Sequence, residues 1–198
     1  VHSGENTLTV ELENKPQSSR WYPGAGLYRN VHLIATSHIH VPVWGTYVTT
    51  PYVTEKEASV KLITNIAGAK KGEAIEVKTD IIAPDGNVVA TNNSIYYAHE
   101  QPFTQNFLVT APHLWSPEEP ALYVARTTLV ADGKEVDSYS TRFGIRSLEY
   151  IPEKGFFLNG KYTKFKGVCN HHDLGPLGAA VNRAALRHQI EMLQDMGA

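Results

Sequence analysis

Two runs, Leu122-Tyr-Val-Ala-Arg-Thr-Thr-Leu-Val130 and Glu135-Val-Asp-Ser-Tyr-Ser-Thr-Arg-Phe143, flank the tetrad Ala131-Asp-Gly-Lys134, and their reading decides the fold class. β-Branched and aromatic residues recur in both runs, and Asp-Gly tolerates the positive φ that a tight hairpin turn demands, so the segment reads as two antiparallel strands. The signal recurs upstream in Pro84-Asp-Gly-Asn87, where Pro presets φ ahead of Asp-Gly. It joins Ala74-Ile-Glu-Val-Lys-Thr-Asp-Ile81, an alternating run, to a return strand that begins at Val88 and Val89. Ala58-Ser-Val-Lys-Leu-Ile-Thr-Asn65 alternates with Val60 and Leu62 on one face, and Ala69-Lys-Lys-Gly72 reads as the turn after it. Gln105-Asn-Phe-Leu-Val109 is a further strand.

About seven short, evenly punctuated strands over about a hundred residues form the pattern of an immunoglobulin-like β-sandwich, assigned here to residues 39–144. Leu114-Trp-Ser-Pro-Glu-Glu-Pro-Ala-Leu-Tyr123 reads as a rigid corner between strands, filled by Trp115. Glu118 and Glu119 are neighbours in this proline-rich loop and have no means of facing each other across a substrate. In residues 1–38, Thr7-Leu-Thr-Val-Glu-Leu12 and Val31-His-Leu-Ile-Ala35 read as strands. Two or three strands cannot make an independent core, so this part reads as the tail of a sheet domain. Trp21, Tyr22 and Tyr28 sit among the turn residues Pro23, Gly24 and Gly26 and read as packing aromatics.

Residues 145–198 open with a hairpin, Gly155-Phe-Phe-Leu-Asn-Gly-Lys161, whose Asn159-Gly160 pair specifies a type I′ turn. Phe165 to Cys169 reads as a buried strand. A Gly-rich loop follows, then a helix with Asn182 as N-cap, Leu186, Ile190 and Leu193 at helical spacing, and Gly197 as stop signal.

The chain has 198 residues, 42% hydrophobic and 19% charged, which suits a soluble globular protein, and a formal net charge of -2 gives no reason to expect nucleic acid or an anionic membrane as partner. No apolar run is long enough to span a bilayer, and the chain opens without a signal-peptide pattern. Cys169 is the sole cysteine, so no intrachain disulfide can form, and cytoplasm and periplasm are both allowed. With His171 two positions on, a Cys169 thiolate is conceivable, but a small buried side chain on a strand is the better reading. Nucleotide-binding glycine loops and Gly-x-Ser-x-Gly elbows are absent from the sequence.

The chemistry concentrates in Gly167-Val-Cys-Asn-His-His-Asp173. A strand that delivers His and Asp at its C-terminal end, followed by a helix, is how a β/α barrel begins its active site. At strand period His171 and Asp173 share a face, with His172 opposite. A neutral His can hydrogen-bond a hydroxyl and a carboxylate can accept from one, which is sugar-binding chemistry. A loop that merely ties strand to helix explains the same residues equally well. Adjacent His residues on a strand diverge, and no other Cys or His has ligand spacing, so no metal site is expected. His38 and His40 share a strand face in a surface role.

Together these motifs resemble glycoside hydrolase family 2, the β-galactosidase and β-glucuronidase family. Ser19-Arg-Trp-Tyr-Pro-Gly-Ala-Gly-Leu-Tyr-Arg-Asn-Val31 resembles the end of the family's jelly-roll, sugar-binding domain. Leu114 to Tyr123 resembles its Trp-Ser-Pro…Pro-Leu-Tyr corner, and Thr141-Arg-Phe-Gly-Ile-Arg146 its sandwich-to-barrel junction. Phe157 to Asp173 resembles the opening hairpin and first strand of its catalytic barrel. The His-His-Asp form followed by Leu174-Gly175 most resembles β-galactosidases, whereas the commoner family pattern is Asn-Arg-His-Glu, with Glu where this chain has His172.

The resemblance implies a mainly β chain: an immunoglobulin-like sandwich (39–144) flanked by terminal jelly-roll strands (1–38) and the first β/α unit of a truncated TIM barrel (145–198). It implies that His171 lines the substrate site, with Asp173 at the pocket edge. It also implies a retaining exo-β-glycosidase with β-galactosides as carbohydrate substrate and no cofactor in this chain, metal use and homo-oligomerisation being open. The family's two catalytic glutamates stand about 5 to 5.5 Å apart and come from later barrel strands, so no catalytic residue is assigned here and the chain alone is expected to be inactive. The alternative is a non-catalytic carbohydrate-binding or structural sandwich.

Overall fold

The computed structural model describes residues 3–17, 26, 27, 29–98, 103–171, 174–180 and 182–198. The chain forms two compact units, one from residues 34–164 and one from residues 1–33 with 165–198.

Within residues 34–164, seven strands make a sandwich: β1 (Thr46–Val53), β2 (Glu57–Thr64), β3 (Ala74–Ile82), β4 (Val88–Tyr97), β5 (Phe103–Thr110), β6 (Tyr123–Ala131) and β7 (Lys134–Phe143). One sheet runs β1-β2-β5 and the other β4-β3-β6-β7, with every pairing antiparallel. The chain crosses between sheets after β2, β4 and β5, as a Greek-key sandwich does. The fourth strand joins the four-stranded sheet rather than the β1-β2-β5 sheet.

The turns follow the sequence. Asp132 and Gly133 both hold positive φ, 51° and 71°, in the two-residue β6–β7 loop. At the β3–β4 connection Gly86 alone has positive φ, at 89°. Ala83 there accepts from the Gly86 amide at 2.9 Å, and its own amide donates to the Asn87 carbonyl at 2.8 Å.

β1 has no counterpart in the sequence reading. Pro51 interrupts its pattern, and the register shifts between Thr49 and Tyr52. Proline is tolerated at a sheet edge or bulge, and β1 is an edge strand.

The core is two apolar clusters separated by a polar layer. Val60, Leu62, Ile81, Phe107, Tyr123 and Ile145 belong to one cluster; Val41, Ile75, Val77, Phe103 and Leu129 belong to the other. Between them along their strands lie buried Thr79, Gln105 and Thr127. Thr79 Oγ1 donates to Gln105 Oε1 at 2.8 Å and lies 3.0 Å from Thr127 Oγ1. Gln105 Nε2 donates to Val77 O at 3.0 Å and reaches Asn92 O and Oδ1 at 3.3 Å. Buried polar groups are tolerated when partnered in this way, and here the partners span both sheets.

After β7 the chain enters a three-stranded antiparallel meander, β8 (Leu148–Ile151), β9 (Gly155–Leu158) and β10 (Lys161–Tyr162). Asn159 and Gly160 hold φ of 50° and 74°, the expected type I′ turn. Asn159 ties this meander to the Trp115 corner. Its Oδ1 accepts from Ser147 N at 3.0 Å, its Nδ2 donates to Trp115 O at 3.0 Å, and its amide donates to Ser147 O at 3.0 Å. Trp115 N donates to Ile145 O at 2.8 Å, and the Arg146 guanidinium lies 4.9 Å from the indole centroid. A Cβ added at Gly144 would stand 2.8 Å from Trp115 Cβ and Cγ, so this position accepts only glycine as built.

In the other unit, α1 spans Arg183–Asp195 after a short 3-10 turn, Gly175–Leu177. The Asn182 side chain accepts from Ala185 N at 3.1 Å, as a helix cap should. Gly197 N donates to Gln194 O at 2.8 Å and Ala198 N to Leu193 O at 3.0 Å, a Schellman ending with Gly197 at φ 81°.

Three expected elements are corrected. Residues 7–12 and 31–35 carry no strand and are exposed, as are Leu8, Val10, Leu12 and Leu33. A strand exists through its ladder, and among the described residues nothing pairs with these segments, so jelly-roll terminal strands are not formed here. The strand expected at 165–169 is likewise absent, leaving Phe165 70% exposed. A buried barrel strand needs neighbours on both edges and both faces. Cys169, read as buried, is exposed for the same reason.

Candidate functional site

The unit of residues 1–33 and 165–198 contains a concavity of about 560 Å³ lined by Arg29, Asn30, His32, Asn170, His171, Leu174, Ala180 and Leu186. Two segments well separated in sequence supply its polar wall. Arg29, Asn30 and His32 come from the extended N-terminal part; Asn170 and His171 come from the segment before the 3-10 turn. The loop after His171 folds on itself: Leu174 N donates to Gly178 O at 2.9 Å, and Gly178 N donates to Gly175 O at 2.9 Å. This closure sets Leu174 and Ala180 on the apolar wall. Capped α1 adds Leu186 from its first turns.

The donor set is suited to hydroxyls. Arg29 supplies only donors, the asparagine amides supply donors and acceptors, and a neutral imidazole supplies one of each. A volume of several hundred Å³ with an apolar wall and a few polar groups is the usual make-up of a small-molecule site. Among the described residues no group of three or more His, Cys, Asp or Glu could hold a metal ion.

His171, singled out from sequence, lines this concavity. Asp173, His172, Trp21, Tyr22 and Tyr28 lie outside the described residues. Arg29, Asn30, His32 and Asn170 were not singled out as site residues. Glu118 and Glu119 do not form a pair: the Glu119 carboxylate is 2.8 Å from His113 Nε2, while Glu118 is held below its usual pKa by its own backbone amide and the Ser116 hydroxyl.

Residues 38–146, the sandwich with its entry and exit, match the family model described as glycosyl hydrolases family 2. The chain belongs to this family. A β-galactosidase of Bacteroides ovatus is 43% identical over 197 residues, covering 97% of this chain and 23% of that protein. A putative β-glucuronidase of Formosa agariphila is 36% identical over 195 residues, covering 98% of this chain and 18% of that protein. Among solved structures, a β-glycosidase from Bacteroides vulgatus superposes with a TM-score of 0.82 at 35% identity, over 90% of this chain and 23% of that one. The chain thus spans about a quarter or less of these relatives. The family match rests on the sandwich, whereas the concavity is built from the other unit, on either side of it in sequence.

Proposed function

We propose that this chain is the non-catalytic portion of a retaining exo-β-glycosidase that hydrolyses terminal β-galactosides. Residues 1–38 end a jelly-roll sugar-binding domain, 39–144 are the immunoglobulin-like spacer, and 145–198 begin the catalytic barrel. The observation that carries this reading is the concavity that gathers Arg29, Asn30, Asn170 and His171 in one wall. Those groups hydrogen-bond sugar hydroxyls while Leu174, Ala180 and Leu186 rest against the C–H face of the ring. Asp173 adds an acceptor at the pocket edge. The acid/base and the nucleophile are two glutamates outside these 198 residues, acting by double displacement through a covalent glycosyl-enzyme. Galactose is preferred over glucuronic acid because the β-galactosidase relative shares 43% of its residues with this chain and the putative β-glucuronidase 36%.

The test compares 4-nitrophenyl β-galactoside with 4-nitrophenyl β-glucuronide as substrates of the complete enzyme, and adds the isolated chain as control. The complete enzyme should favour the galactoside in kcat/KM, and the chain alone should not turn over either. A preference for the glucuronide would overturn the substrate, and turnover by the chain alone would overturn the location of the glutamates.

A further inference from the structure

Remote from this chemistry, the turn leading into β1 holds an aromatic ring out in solvent under backbone strain. Trp44 is 89% exposed and has φ of 57°. Gly45 N donates to Pro42 O at 2.7 Å, so Trp44 occupies the third position of a four-residue turn, where positive φ is ordinarily met by glycine or asparagine. For a bulky residue this conformation is an outlier. The surroundings fix it. Trp44 N donates to Tyr139 Oη at 3.1 Å, Asn65 N donates to Gly45 O at 2.7 Å, and the Thr46 and Thr141 hydroxyls meet at 2.6 Å. Strain retained in this way concentrates at ligand sites.

The outer face of the β1-β2-β5 sheet continues from this turn. Val48 and Leu62 point into the core, so their alternating neighbours Tyr47 and Ile63, paired across the strands, point outward. At the far end Tyr52 opposes Ser59, and Ser59 opposes Leu108. Tyr47, Tyr52 and Leu108 are all exposed. Between these apolar rows runs a hydrogen-bonding row of Thr49, Lys61 and Asn106. The charges on this face are Lys61 and Glu57, which cancel. The Thr49–Tyr52 register shift and Pro51 spoil the β1 edge for pairing with another strand, which disfavours a partner that adds to the sheet.

We propose that Trp44 and the outer face of the β1-β2-β5 sheet bind a neutral polysaccharide chain. The indole and the two tyrosine rings lie against the C–H faces of pyranose units, and the Thr, Ser and Asn groups between them hydrogen-bond the sugar hydroxyls. The balanced charge fits an uncharged polymer and gives no attraction for an anionic one. This assignment does not rest on the proposed reaction, which uses the other unit.

Native gels containing soluble neutral galactan, neutral glucan or polygalacturonate test it on the full chain. The chain should be retarded in at least one neutral gel and not in polygalacturonate. Trp44→Gly and the double variant Tyr47→Ala/Tyr52→Ala should each bind at least about tenfold more weakly, the order expected for losing ring stacking. Trp44→Gly should also melt at a higher temperature than the unaltered chain, because glycine relieves the turn, which separates lost binding from lost fold. The proposal fails if the chain runs unretarded in both neutral gels, or if the variants are retarded like the parent. It also fails if polygalacturonate retards the chain as well as the neutral polymers do. Sedimentation showing a dimer that Trp44→Gly dissolves would assign the face to a second copy and overturn it too.

Discussion

Replacing Gln105 by leucine tests whether the polar layer holds the two sheets together. Gln105 is 2% exposed and carries three sets of bonds across the sandwich. Since Thr79 spends its single hydroxyl proton on Gln105 Oε1, the 3.0 Å contact with Thr127 must be donated by Thr127, giving a relay Thr127 to Thr79 to Gln105. Leucine removes the terminal acceptor, leaving one buried hydroxyl proton without a partner, and removes both amide donors facing Val77 O and Asn92. Three net hydrogen bonds at about 1 kcal/mol each, less about 1 kcal/mol regained from the apolar leucine, put the loss at about 2 to 3 kcal/mol. Adding Thr79→Val and Thr127→Val removes the stranded hydroxyls, and the triple variant should return to within about 1 kcal/mol of the parent. Urea unfolding followed by circular dichroism at the β-sheet band reads all three proteins. A single variant within about 0.5 kcal/mol of the parent, or a triple variant less stable than the single one, refutes the reasoning.

Gly144→Ala should cost about 1 to 3 kcal/mol and shift tryptophan emission, because the new methyl meets Trp115 at 2.8 Å; unchanged melting and emission would show that the corner yields freely. Asn159→Asp places a carboxylate oxygen against Trp115 O, so stability should fall at neutral pH and recover as pH drops and that group protonates, while a loss independent of pH would contradict the assigned bond. Asp80, 12% exposed, is driven upward in pKa by burial, but hydrogen bonds from Thr91 and Arg126, with the charges of Lys78 and Arg126, outweigh burial and hold it below its usual value. A depressed carboxylate contributes stability above its unfolded pKa of about 3.9 and loses it as pH falls through the folded value. Asp80→Asn should therefore flatten the acid limb of the stability profile, and an unchanged limb counts against the pairing.

The sandwich was legible where alternation meets turn chemistry. β2, β3 and β6 show apolar residues every second position, and Asp132-Gly133 and Asn159-Gly160 adopt the φ values that their chemistry favours. β1 escaped because Pro51 breaks the pattern that an edge strand does not need. Thr79, Gln105 and Thr127 are polar at core positions, so a reading by hydrophobicity has no reason to join them. The segments 7–12, 31–35 and 165–169 have strand-like sequences but no ladder partners, and pairing is a tertiary property. His171 was legible from its short motif. Arg29, Asn30 and His32 were not, because they meet His171 only through folding of segments well over a hundred residues apart, although the Tyr28-Arg-Asn-Val31 match to the family already lay over them.

The central claim is that the wall containing His171 holds the sugar during glycoside cleavage. Its most direct test is kcat/KM for 4-nitrophenyl β-galactoside, measured on the complete enzyme with and without His171→Ala. Loss of a hydrogen bond that strengthens as charge develops should lower kcat/KM by roughly 10- to 200-fold, equivalent to about 1.5 to 3 kcal/mol, with the melting temperature unchanged. A variant within about twofold of the parent would remove His171, and the wall it anchors, from the reaction.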